Sequence, residues 1–389
     1  MERRDFLIGG GMFALSQALA ACGNQEQNAL KIQLLKGSIP IQLIEEFPKL
    51  ANPAISLDIQ VVEQLQEVFA NLERLSSLVG KPPADRSWSW LPLGQSKTPT
   101  QPDLMTLGDG WLQGAIAQKL IQPLPIKDLP SWQRLPRLWQ NLVQRDAQGY
   151  PQENGQIWGA PYRWGTTMIA YRRDKFQELG WTPQDWGDLW RQELRGKISL
   201  LDQPREVIGL TLKKLGHSYN TQDLSKIPKL KSELQSLNQQ AKFYSVDRYL
   251  QPLILEDTWA AVGWSTDILP LMKRNPQIGA IIPLSGTALW VDLWVQPQGQ
   301  ELSEGAKSWV SFCWEPATAN KLSLLSNATS PIVTAMRPQE LLPDLLKNPL
   351  IIPPAEVIDR SEFLDPLPPK VLAQYTTLWQ EIRQKSPNA

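Results

Sequence analysis

From residue 31 onward, short runs of aliphatic and β-branched residues alternate with stretches whose apolar residues recur every three or four positions. The runs at 32–35, 57–62, 104–107, 168–171, 198–201, 259–264 and 278–283 read as strands. The stretches 63–78, 204–215, 228–240 and 266–273 read as amphipathic helices between them. This alternation predicts an α/β fold with helices layered over largely parallel sheets. Residues 81–102 are crowded with Pro, Ser and Trp and have no period, which predicts a surface insertion. Residues 368–385 read as a packing helix, and neither an internal repeat nor a heptad array is present.

Composition narrows the function. The chain has 389 residues, with 39 Lys+Arg against 39 Asp+Glu. At about 150 residues per domain that length predicts two domains. Without a basic excess there is no footprint for nucleic acid or for an anionic membrane surface. Two cysteines exclude a disulfide framework, and a single histidine excludes most His-built metal centres and leaves few routes to general-base chemistry. No phosphate loop, HExxH, GxSxG or CxxC pattern occurs. No cofactor or metal is expected, and an enzyme would lack its obvious parts. The surplus is tryptophan, with 17.

The first segment reads as an address. Arg3 and Arg4 precede a mostly apolar run over 6–21, too short for a comfortable transmembrane helix. The order Arg3, Arg4, Phe6, Leu7 resembles a twin-arginine export signal. Leu19, Ala20, Ala21 and Cys22 resemble a bacterial lipobox, which makes Cys22 the lipidation site and 23–29 a tether. The expectation is a soluble periplasmic domain held to a bacterial membrane by lipid on Cys22. The remaining thiol, Cys313, lies in the apolar stretch 309–314 and reads as core.

Candidate chemistry begins in the run 288–295. As a strand, it places Leu289, Val291, Leu293 and Val295 on one face and Trp290, Asp292 and Trp294 on the other. A carboxylate inside such a run requires a cation or hydrogen-bond donors. Asp292 beside two indoles suits an organic cation; a structural Arg or backbone N–H groups would satisfy it equally. Trp264 and Asp267 fall where a strand gives way to a helix, the end at which open α/β sheets place ligands, although Asp267 could simply complement the helix dipole. Glu206 and Asp202 flank a similar junction, and Asp109 in Gly-Asp-Gly-Trp reads as a ligand contact or as a helix N-cap.

The segment Ile157-Trp-Gly-Ala-Pro-Tyr-Arg-Trp-Gly-Thr-Thr-Met-Ile-Ala-Tyr171 resembles the crossover of bacterial spermidine/putrescine-binding proteins, the substrate-binding components of polyamine ABC transporters. The resemblance continues over 200–209, 215–221, 260–269 and 285–297. It implies a two-lobed periplasmic-binding-protein fold (type II) that closes on ligand in the cleft between its lobes. The implied division is 30–166 with 288–345 for lobe 1, 167–287 for lobe 2 and 346–389 for a C-terminal packing segment. Hinges are implied near 164–167 and 285–287. By motif position Trp264, Asp267, Trp290, Asp292 and Glu206 match amine-binding positions, and Asp202 and Asp109 are further candidates. A polyamine or related small organic cation, an inner-membrane ABC permease and a monomeric state are the implied partners and form. One departure stands out. Leu35-Lys36-Gly37-Ser38 replaces the family's aromatic–acid clamp, and Lys36 would repel an amine. A tethered small-molecule sensor, or a binder of a different solute on the same fold, remains the alternative.

Overall fold

A computed structural model describes residues 29–51, 55–78, 101–299 and 301–384. The export signal, Cys22, nearly all of the tether and most of the 81–102 insertion lie outside the described residues. The main strands are β1 (Ala29–Leu35), β2 (Ser56–Val62), β3 (Leu104–Gly108), β4 (Ala160–Arg172), β5 (Ile198–Leu201), β6 (Ala241–Ser245), β7 (Ala260–Trp264), β8 (Ile278–Ile281) and β9 (Ala288–Pro297). Their order across the sheet is β2-β1-β3-β9-β4-β7-β5-β6, with β8 also on β4.

The sheet is mixed, which corrects the largely parallel expectation. Strands β1, β2 and β3 pair in parallel, as do β5, β6 and β7. Strand β4 runs antiparallel to β7, β8 and β9, and β9 runs antiparallel to β3. Only 168–171 of β4 was visible as a strand, because Pro161, Arg163 and Gly165 interrupt the apolar run before it. Every residue of β4 is nonetheless buried, as befits a strand covered on both faces.

Strand β4 is the seam between two cores. Its first half pairs with β9 through Thr166↔Leu289, Gly165↔Trp290 and Arg163↔Asp292. Its second half pairs with β7 and β8. One core gathers Ile32, Leu107, Trp164, Val291, Trp294 and Trp309. The other gathers Ile169, Ile198, Val207, Leu234, Val262 and Trp379. The change of core falls between Trp164 and Met168 on β4 and between Ala288 and Leu289 on β9. The C-terminal helix Pro369–Gln384 packs Tyr375, Trp379 and Ile382 into the second core.

Most of the tryptophan surplus is structural. Trp139, Trp164, Trp186, Trp294, Trp309 and Trp314 are fully buried. Several carry hydrogen bonds that fix distant segments: Trp186 Nε1 donates to the Gly286 carbonyl at 2.9 Å and Trp314 Nε1 to that of Pro161 at 2.6 Å. Tyr162 stacks on Trp294 with centroids 4.3 Å apart. Such rings bring large buried area, and the N–H usually needs a partner.

Candidate ligand-binding site

The helix Pro204–Lys214 starts with Pro at its first position and ends near Gly216, whose φ of 78° is the left-handed cap that glycine takes readily. Its first turn carries Glu206, only 5% exposed. Trp264 Nε1 donates to Glu206 Oε1 at 3.1 Å, and the Thr167 hydroxyl donates to both carboxylate oxygens at 3.1 and 3.0 Å. Burial raises the Glu206 pKa, and the Trp264 and Thr167 hydrogen bonds draw it back. Arg205 is turned away, to the Asp365 carbonyl at 2.9 Å and Asn220 Oδ1 at 2.8 Å.

Trp264 ends β7, and the helix Ser265–Arg274 follows at once, with the exposed Asp267 in its first turn. The buried Tyr249 hydroxyl accepts from the Trp264 backbone N–H at 3.2 Å and donates to Asp267 Oδ2. Gly263 makes this arrangement possible, since any Cβ there would overlap the Tyr249 ring. Loss of solvation lifts the Asp267 pKa, opposed by the Tyr249 hydrogen bond and by Arg163.

On the other side of the seam, Arg163 Nε donates to Asp292 Oδ2 at 2.6 Å, and both side chains are 3% exposed. Burial pushes the Asp292 carboxyl up, and the guanidinium pulls it back toward the ionised form. The Arg163 guanidinium carbon lies 5.7 Å from the Trp290 ring centroid. Trp290 in turn lies on Gly165, where a Cβ would overlap the indole and the Ser265 hydroxyl. Asp292 is thus met by an Arg of the chain itself.

Asp109 is the first residue of the helix Asp109–Ala117, one place beyond the N-cap. Its Oδ1 accepts the Val291 N–H at 3.0 Å, so it ties the helix to β9, while the N-cap position itself is held by Gly108. Desolvation lifts its pKa to about 7, with Asp292 adding to the rise and Arg145 opposing it. Arg145 also faces Asp365, whose pKa is raised by burial. Asp365 lines a cavity of about 290 Å³ with Leu138, Asn220, Leu289, Glu362 and Phe363, at the junction of the two cores. None of Glu206, Trp264, Asp267, Trp290 or Asp292 lines that cavity.

Asp202 is engaged elsewhere. It accepts from Trp379 Nε1 at 3.2 Å and lies 3.7 Å from Arg383, both on the C-terminal helix. Lys36 is likewise bound away, to Glu63 at 2.9 Å on the surface, so its charge is already paired. Sequence reasoning missed Arg163, Tyr249, Arg145 and Asp365. A signal for Arg163 existed: it is the one charged residue of 160–171, as Asp292 is of 288–297. Two lone opposite charges in two buried strands call for each other. Among the described residues no cluster of His, Cys, Asp and Glu could hold a metal ion, and no helix is long and apolar enough to cross a membrane.

Two lobes joined by crossing strands, with acids and indoles gathered at the seam, define a two-lobed solute-binding protein of the type II fold. Residues 100–359 match the model of the bacterial extracellular solute-binding protein family, and the chain belongs to that family. It is 26% identical over 233 residues to the spermidine/putrescine-binding periplasmic protein 1 of Haemophilus influenzae, a match covering 60% of this chain and 63% of that one. It is 26% identical over 213 residues to the spermidine/putrescine-binding periplasmic protein of Escherichia coli, covering 55% and 60%. The chain thus spans under two thirds of the length of these relatives. It shares its fold with the spermidine/putrescine ABC transporter substrate-binding protein of Streptococcus pneumoniae, at a TM-score of 0.75 and 19% identity, over 92% of this chain and 99% of that one.

Proposed function

We propose that this chain is the extracytoplasmic substrate-binding component of an ABC transporter for small organic cations of the polyamine type. The observation that carries the reading is the setting of Glu206. It is a buried carboxylate whose hydrogen bonds come only from neutral donors, Trp264 Nε1–H and the Thr167 hydroxyl, with Arg205 acting on it through space, and the exposed Asp267 lies one helical turn after Trp264. An ammonium placed there would meet carboxylate charge on one side and the Trp264 ring on the other. The names of the relatives support the same ligand class. The role is capture and delivery, with no bond made or broken. Trp290, Asp292 and Asp109 line the opposite side of the seam, and Asp202 serves the C-terminal helix. Cys22 carries the lipid that holds the protein to the membrane, and an inner-membrane permease receives the ligand.

The test is a thermal-shift panel of aliphatic amines, amino acids, sugars and metal ions, followed by calorimetry, since ligand binding stabilises the folded state by mass action. An aliphatic amine should bind, Glu206→Gln should weaken it by roughly 2–5 kcal/mol, the scale for truncating one partner of a buried charge pair, and Asp267→Asn by less, since Asp267 is exposed. Binding of a neutral or anionic solute in place of every amine would overturn the assignment. For the anchor, Cys22→Ala should release the protein from the membrane fraction.

A further inference from the structure

Two of the groups that the sequence singled out to hold an organic cation, Trp290 and Asp292, already flank one. Arg163 sits 2.6 Å from Asp292, lies over the Trp290 ring at 5.7 Å, and acts electrostatically on Asp267. We infer that Arg163 is a tethered cation filling the ammonium subsite of Trp290 and Asp292, so that the cognate ligand is an aliphatic amine with a single ammonium group and a neutral far end. This rests on the organic-cation reading of the same cleft and names its substrate class.

The geometry separates the two sides of the seam. Toward the first core, Asp292 is matched by Arg163, and Asp109 and Asp365 are opposed by Arg145. Toward the second core, the hydrogen bonds to Glu206 and Asp267 come from Trp264, Thr167 and Tyr249, all neutral, and Arg205 and Arg163 act on these acids only through space. A diamine or triamine spanning the cleft would place its second ammonium beside a guanidinium that is already desolvated. Like charges at that separation repel strongly where water is excluded. Displacing Arg163 would cost the ligand the buried 2.6 Å ion pair with Asp292, its register partner on the adjacent strand. A chain of methylenes ending in an amide or other neutral group meets no such penalty. Specificity here comes from a built-in repulsive element as much as from attraction.

The experiment is calorimetry on the purified protein with N-acetylputrescine, putrescine and spermidine as probes, in the wild type, Arg163→Met and Arg163→Lys. The wild type should bind N-acetylputrescine at least tenfold more tightly than putrescine or spermidine. Arg163→Met should reverse the order, by exposing Asp292 to the second ammonium, while Arg163→Lys keeps the charge and the wild-type order. If Arg163→Met does not fold, the wild-type order and that of Arg163→Lys still decide. Tighter binding of putrescine or spermidine by the wild type would overturn the inference and leave the organic-cation reading standing. An unchanged order in a folded Arg163→Met would do the same. Silence toward all three amines would overturn both.

Discussion

Asp109 Oδ1 accepts the Val291 backbone N–H at 3.0 Å, so the first residue of a helix is bound to a strand that follows it by almost half the chain. This carboxyl is held at a pKa of about 7, chiefly by desolvation. The folded protein therefore keeps a proton that the unfolded chain has released between about pH 4 and pH 7. Stability should decline as pH rises through that window and level off above it. Asp109→Asn keeps an acceptor oxygen and removes the charge, so it should erase up to roughly 4 kcal/mol of the decline. Urea denaturation of both proteins from pH 4 to pH 8 checks this; parallel profiles would count against it.

The Arg163–Asp292 pair makes a second expectation. Asp292→Asn leaves a buried guanidinium without its counter-charge and should destabilise the protein by about 3–5 kcal/mol. The double replacement Arg163→Met with Asp292→Leu removes both charges, and should recover most of that loss or exceed the wild type. Chemical denaturation of the wild type, Arg163→Met, Asp292→Leu and the double replacement forms a double-mutant cycle, and additive single effects would refute the coupling.

Trp264→Phe keeps an aromatic ring and removes the N–H that reaches Glu206 at 3.1 Å. Hydrogen bonds to charged groups contribute about 1.5–3 kcal/mol, so amine affinity should fall by up to that amount as Glu206 becomes harder to ionise. The loss should also grow as pH is lowered, because a higher pKa in the variant leaves less carboxylate at each pH. Calorimetry at two pH values separates this from simple loss of packing, which would not depend on pH.

Gly263→Ala should lower stability by about 1–3 kcal/mol, the range for overpacking a tight site. The added methyl must displace the Tyr249 ring, and with it the hydroxyl that holds Asp267. Amine affinity should therefore fall together with stability. Denaturation and calorimetry on the same variant decide it; reduced stability with unchanged affinity would detach Tyr249 from the site.

Asp202→Asn tests the opposite case. Its partners Trp379 and Arg383 belong to the C-terminal helix, so the change should loosen that helix and leave amine affinity within about twofold. Hydrogen exchange over 369–384 together with calorimetry reads both effects. A tenfold loss of affinity would place Asp202 at the ligand after all.

Much of this architecture was legible because periodicity is local. The strands near 57–62, 104–107, 198–201 and 259–264 and the helices near 204–215 and 228–240 appear within a residue or two of their predicted ends. What escaped depends on pairing between distant segments. Strand β6 carries exposed Lys242 and Phe243 and has no strand pattern of its own; it exists because β5 lies beside it. The meeting of Arg163 with Asp292 is set by register across 129 positions of sequence, which no window of residues contains. Tyr249 and Asp365 lie in stretches without period, where only the tertiary fold assigns a neighbour. The acids themselves were found from their surroundings, but what each one faces required the sheet.

The two cores also bear on how the chain comes into being. The first needs Trp309, Phe312, Trp314 and Ile332, and the second needs Tyr375, Trp379 and Ile382. Both are thus completed by the last quarter of the chain, long after β1 or β5 has been made. A nascent chain of this design cannot complete either core until residues 309–332 and 375–382 have been made, and until then apolar surface of the earlier strands stays unburied. Truncation near residue 360 would consequently expose the second core as a sticky face and leave an aggregation-prone fragment.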